Sequence, residues 1–214
     1  MAVVGRRRPQ PVEAGVSALR RLRPDELAPA PDDLPLARSA VVAARPGDPS
    51  HERARAEILA FVDAHDDALH RSCLEGHLTG SAAVLDASGE RMLLLLHAKV
   101  QRWLQPGGHA DGDGNLAHVA LREAEEETGI EGLVVVGPAI DLDVHVFHNA
   151  AATEPDHLHL DVRHLVLAPV GAVPTINHES DGVRWVPLDE LSSMDVDAGT
   201  LRMAHAAWAA LTDL

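Results

Sequence analysis

The apolar and polar positions divide the chain into strand-like and helix-like stretches. Thr79 to Asp86 and Arg91 to His97 are aliphatic runs joined by Ala87-Ser88-Gly89, which predicts a two-stranded hairpin in a covered sheet. Further strands are predicted near Ile140 to His148, Leu158 to Leu167 and Val183 to Val186. Between Asn115 and Gly129 the residues Ala117, Leu121, Ala124 and Thr128 lie on one helical arc, with Asn115 as N-cap and Gly129 as the helix-ending residue. Ile58, Leu59, Phe61, Val62 and Leu69 predict one or two helices between Pro49 and Leu74, with Asp63, Asp66 and Asp67 facing water. Pro187 to Leu191 opens a helical turn, and a final helix runs from about Ala198 to Leu211. Strands set between helices make an α/β/α sandwich.

Residues 1 to about 48 are rich in Pro, Ala and Arg and read as an extension, partly flexible or draped over the domain, with short helical turns around Val16 to Leu22. Residues 49–214 are expected to form one domain. A chain of 214 residues with 46% hydrophobic content buries one substantial core. Its net charge of −15 argues against a partner with a nucleic-acid backbone, but not against a small phosphorylated compound bridged to carboxylates by a cation. Cys73, the single cysteine, leaves no internal disulfide and no metal-binding cysteine pattern. Apolar runs such as Met92 to Leu96 are strand-sized and none approaches 18 residues, so no membrane span is expected. No hydrophobic region follows Arg6, Arg7 and Arg8, and the expected setting is cytoplasmic.

The chemistry concentrates in Arg122-Glu123-Ala124-Glu125-Glu126-Glu127-Thr128-Gly129-Ile130. At about 100° per residue Glu123, Glu126 and Glu127 share one part of the helix surface. Their mutual repulsion near a helix C-terminus is unfavourable unless a cation sits among them; the alternative is an ordinary solvated face. Arg122 is placed to pair with Glu126 at i+4, and Glu125 points away into solvent.

Gly108 followed by this segment resembles the Nudix box, Gx5Ex7REUxEExGU with U aliphatic, over Gly108 to Ile130. Its second half matches at each specified position when Ala124 counts as aliphatic. Gly114 stands where the family has its first glutamate, a support of the loop and helix, and Asp111 or Asp113 is the expected substitute. The resemblance implies a Nudix-type α/β/α sandwich with a mixed sheet, and metal-dependent hydrolysis of a diphosphate linkage in a nucleoside diphosphate derivative or nucleoside triphosphate. It implies that Glu123, Glu126 and Glu127 coordinate Mg²⁺ or Mn²⁺, with the Gly108 carbonyl as a further ligand, and that Arg122 orients the acids. Family members often supply a general base from a loop before a late strand; here Glu179 is that candidate, with Asp181 behind it and a solvated loop acid as the alternative. Some Nudix-fold isomerases use a cysteine, but the acids here are intact and Cys73 is read as structural. A nucleotide-derived substrate and a homodimer are also what the resemblance implies. The alternative activity is a nucleotide sensor without turnover, supported by Gly114.

Arg102, Trp103 and His109 flank Gly107-Gly108 and lie beside the expected phosphate site. Trp103 stacks on a base or fills the core, the core being favoured. His157, His159, Asp161 and Arg163 alternate and share one strand face. Four polar groups there are too costly to bury unpaired, so they line a substrate pocket, with Arg163 or the histidines on phosphate, or a wet sheet face or subunit edge; metal binding by the histidines is the weaker alternative, since this spacing defines no zinc geometry.

Overall fold

In the computed structural model, which describes residues 18–45, 47–148 and 155–214, the sheet is organised around β2 (Gly76–Leu85), a strand buried along its whole length. β2 runs parallel to β7 (His157–Leu167) and antiparallel to β5 (Gly107–His109). β7 pairs antiparallel with β6 (Val134–Phe147), whose other edge takes the short strand β1 (Arg20–Arg21). β3 (Arg91–His97) pairs with β4 (Trp103–Leu104) and β8 (Ser180–Pro187). One parallel pairing among antiparallel ones makes this eight-stranded sheet mixed.

β2 and β3 do follow one another through a tight turn, yet their ladder is limited to Leu85↔Met92. The expected hairpin is therefore a corner. Ala82 donates its backbone N–H to the Pro106 carbonyl (2.9 Å), and β5 takes up Thr79 to Ser81, so the edge a longer hairpin needs is occupied.

Helices cover both faces. Ala82, Val84 and Val166 pack with Ala120 and Ala124 of α3 (Leu116–Thr128), while their strand neighbours Ala83, Leu85 and Leu165 pack with Met203, Ala204 and Ala207 of α4 (Ala198–Thr212). Adjacent residues on a strand point to opposite sides, so α3 and α4 lie on opposite faces. α1 (Leu34–Ala43) and α2 (Pro49–Val62) join α3 through Val41, Ile58, Leu78 and Leu160. The layers are those of an α/β/α sandwich.

The proline-rich start holds more regular structure than its composition suggests. Asp33 caps α1 by accepting from Leu36 N–H (2.9 Å), and Pro35 stands in the first turn, where no helical N–H partner is needed. Asp48 and Pro49 open α2 in the same manner. Of the turns expected at Val16 to Leu22, residues 16 and 17 lie outside the described residues, and Arg20–Arg21 form a strand on β6. Among the described residues no helix is long and apolar enough to cross a membrane.

Candidate active site

α3 is bounded as its caps dictate: the Asn115 side chain accepts from His118 N–H (3.3 Å), and Gly129 ends it at φ 64°, a left-handed value that favours glycine. The helix lays its acids against β5. Glu127 is buried, and its carboxylate accepts from the Gly107 N–H at 3.0 Å. Glu123 presses on Gly108 so closely that an added Cβ there would lie 2.5 Å from the Glu123 carboxyl carbon. The glycine pair thus admits both carboxylates to the backbone. Glu126 and Glu125 are exposed, the latter as expected.

Arg122 does not pair with Glu126. Its Nη2 donates to the His109 carbonyl and to Glu123 Oε1, both at 2.8 Å, because the sheet-facing carbonyl draws the guanidinium inward. It joins the helix, the acid and β5 in one contact.

Burial pushes Glu127 up to about 8, against the Gly107 N–H, with the charges of Glu123, Glu179 and Glu126 adding to the rise. Burial also raises Glu123; Arg122 opposes this, and Glu126, Glu179 and Asp111 reinforce it. Glu179, on the loop ahead of β8, is therefore electrostatically part of the acid group. Its loop is tied to the end of α3 by the Thr175 N–H to the Thr128 carbonyl (2.7 Å), and its own backbone to Ala98 N–H (2.9 Å). Asp181 accepts from Gln101 instead (2.7 Å).

The acids are repelling one another at partly buried positions, which is the electrostatic setting a divalent cation relieves. Among the described residues they do not form a set with donor atoms all within 4.8 Å; such sets are His77, His109, His157 and His159, and His65, Cys73 and Glu75. A hydrated Mg²⁺, which keeps several waters and takes one or two carboxylates, fits spaced acids of this kind.

These shifts set a pH dependence for the metal-free chain. Burial lowers His77, and lowers His109 to about 4 and His159 to about 2, so their unfolded forms bind protons first and stability falls as pH drops below 6.5. Glu127 works the other way: its folded pKa lies above 4.5, and its contribution is lost as pH rises towards about 8. Between pH 6.5 and 8 the chain is expected to lose about 1–2 kcal/mol, at most about 1.4 per pH unit for one proton. Glu127→Gln should flatten much of that decline in urea unfolding series, and stability rising across the window would contradict the assignment.

Gly114 has a packing cause. A Cβ there would lie 2.1 Å from the Asp33 carbonyl oxygen, and the Gly114 N–H donates to the Ala30 carbonyl at 2.8 Å. Residues 30–33 fill the space a side chain would take. Asp113 carries the local hydrogen bonds, accepting from the Ala30 and Asn115 N–H groups, each at 2.9 Å, and bonding His118 at 2.6 Å, whereas Asp111 is paired with Arg71. Gly114 therefore gives no support to a sensor without turnover. Gly114→Ala is expected to cost about 1–3 kcal/mol in urea unfolding. No loss would mean that residues 30–33 are not seated there.

The remaining candidates separate. Arg102 is exposed and approaches Asp195 at 3.8 Å. Trp103 is half-buried against the α4-side core, with the Arg184 guanidinium 5.8 Å from its ring centroid. Arg163 is 3% exposed, and each nitrogen is taken: Nε by Asp161 (2.7 Å), Nη1 by Asp141 and the Gly199 carbonyl (both 3.0 Å), and Nη2 by Asp143 (3.1 Å). A phosphate would have to displace one of these carboxylates, so the expected phosphate contact of Arg163 gives way to a structural one. Thr79 and Ser81 complete the group by donating to Asp161. His109, His157 and His159 do come together, with His77 as a fourth member that sequence reasoning missed. The available signal was the alternation His77, Thr79, Ser81, the same period that singled out β7.

Residues 77–207 match the family model described as the NUDIX domain. A C. elegans Ap4A hydrolase, solved as a binary complex, is 18% identical, with 64% of this chain and 98% of that chain covered and a TM-score of 0.53. A NUDIX-family hydrolase from Clostridium perfringens is 20% identical, with 63% and 97% covered and a TM-score of 0.48. The first likeness supports the fold. No curated protein matches the chain.

Proposed function

The chain belongs to the Nudix family, and on that premise we propose that it hydrolyses a diphosphate linkage in a small nucleotide-derived compound with the help of Mg²⁺ or Mn²⁺. The observation that carries the reading is the grouping of Glu123 and Glu127 on the Gly107–Gly108 backbone, within electrostatic reach of Glu126 and Glu179. Glu123, Glu126 and Glu127 would hold one or more such cations, directly or through the cations' waters, with the Gly108 carbonyl available as a further ligand. When bound, it supplies charge neutralisation at the phosphates and Lewis acidity.

The chain's own groups do the rest. Glu179 takes a proton from the attacking water; the water oxygen bonds to phosphorus, the anhydride P–O bond breaks, and the departing phosphate carries the electron pair. Arg122 is a positioning residue that holds Glu123 against β5. The Gly107 N–H fixes Glu127.

Glu179→Gln is expected to lower kcat by about 10²–10⁴-fold and to remove the acidic limb of the pH–rate profile. Asp181→Asn, at a residue bonded to Gln101, should do much less. The reverse order would make Asp181 the base. The substrate panel starts from Ap4A, after the C. elegans relative, and extends through other dinucleoside polyphosphates, nucleoside triphosphates and sugar nucleotides. Metal-dependent product from one compound supports the reading; tight binding of a compound without product across the panel overturns it.

A further inference from the structure

The four histidines on the α4 side of the sheet have no part in the hydrolysis just described. β-ladder register brings them together: His77 of β2 is the Cα partner of His159 on β7, and His109 of β5 is the partner of Thr79, two residues along β2 on the same face. Ring centroids lie 4.7 Å apart for His77–His109, 4.6 Å for His77–His157 and 5.0 Å for His109–His159. One nitrogen of each ring lies within 4.8 Å of a nitrogen of every other.

What marks the cluster as a site is its unmet valence. His77 is 3% exposed, and neither ring nitrogen makes a hydrogen bond, although the Cys73 carbonyl sits near enough to favour its protonated form. The buried Nε2 atoms of His157 and His159 are likewise unpartnered. Polar atoms buried without a partner are costly, and native folds leave few of them. His157 Nδ1 lies 2.9 Å from the Pro155 carbonyl, which fixes the proton there and leaves Nε2 as a lone pair facing the cluster. That is the outer-shell bond typical of a metal-ligating histidine.

We propose that His77, His109, His157 and His159 bind one divalent transition-metal ion, zinc in the first place, at a site separate from the box acids. Four neutral imidazoles suit zinc and its neighbours, whereas Mg²⁺ requires oxygen ligands. A tetrahedral ion with Zn–N of about 2.0–2.1 Å sets its nitrogens roughly 3.3 Å apart, a spacing the four rings, with nitrogens all within 4.8 Å of one another, reach by side-chain adjustment. His109 and His159 are only partly buried and give the ion its way in. Because His109 follows Gly108, the ion clamps β5 to β2 and β7 just behind the box glycines.

The test uses the full chain without a polyhistidine tag, stripped by chelator and dialysed against Zn²⁺ or Co²⁺. One zinc per chain should survive gel filtration, and Co²⁺ should develop the intense visible bands of tetrahedral coordination. Both should vanish in His77→Ala/His159→Ala and persist in Glu126→Gln and Cys73→Ser. If the double variant fails to fold, X-ray absorption of the unaltered zinc protein decides, since four nitrogen neighbours at about 2.0 Å with imidazole scattering are expected. No retained zinc, zinc that survives the loss of the histidines, or zinc lost with Cys73→Ser would overturn the proposal, the last by moving the ion to His65, Cys73 and Glu75. None of these results touches the hydrolase reading.

Discussion

Arg163→Ala is expected to destabilise the chain by about 3–5 kcal/mol, because it leaves buried carboxylates without their shared cation. Arg163 sits at the centre of a buried group in which Asp141, Asp143 and Asp161 converge on one guanidinium. Burial alone would push Asp141 up, yet His51, Arg202 and Arg163 hold it below the ordinary carboxylate range. Asp143 is held down against burial by His145, Arg163 and Arg202. Removing Arg163 leaves Arg202 as the one guanidinium shared by Asp141 and Asp143, beside His51 and His145, and leaves Asp161 with the hydroxyls of Thr79 and Ser81. The thermal midpoint should fall by roughly 10 °C, at about 2–4 °C per kcal/mol for a chain of this size. Arg163→Lys should recover little, because an ammonium has three N–H donors on one atom and cannot reproduce four contacts directed from a planar fork. A loss below about 1 kcal/mol in Arg163→Ala would show that the network is not a determinant of stability.

Glu126→Gln should have the opposite profile. Activity is expected to drop by about 10³-fold or more, corresponding to about 4 kcal/mol of transition-state stabilisation, because the proposal makes Glu126 one of the acids that hold the cation. The fold should be untouched: Glu126 is exposed, and substitutions at such positions usually stay within about 0.5 kcal/mol. A small gain in metal-free stability is expected, since its charge helps push the proton affinities of Glu123 and Glu127 upward. Full turnover by Glu126→Gln, at unchanged stability, would remove the box acids from the chemistry.

The parts of this molecule that were legible in the sequence are those whose signals are local. Asn115 and Gly129 bracket α3 because capping and a left-handed C-terminal residue act within one turn. Aliphatic runs marked β2 and β3 because burial on both faces selects such residues. What stayed hidden depends on partners far along the chain. Pro35 reads as a breaker until Asp33 is seen to cap a helix in front of it. Arg122 chose the His109 carbonyl over an acid one turn away. Gly114 looked like a defect of the box and is the seat of residues 30–33. The β7 polar face was visible as an alternation, but only the register with β2, β5 and β6 divides it into an ion-paired core around Arg163 and a cluster of histidines that includes buried ring nitrogens without hydrogen-bond partners.

The most direct test of the hydrolase is mass spectrometry of products formed from the compound panel in ¹⁸O-labelled water with Mg²⁺ or Mn²⁺. One compound should yield two phosphorus-containing products, a single ¹⁸O atom appearing on one of them, with none formed in the presence of chelator or by Glu126→Gln. Recovery of a bound compound intact and unlabelled would contradict the account and leave the box acids as a binding site alone.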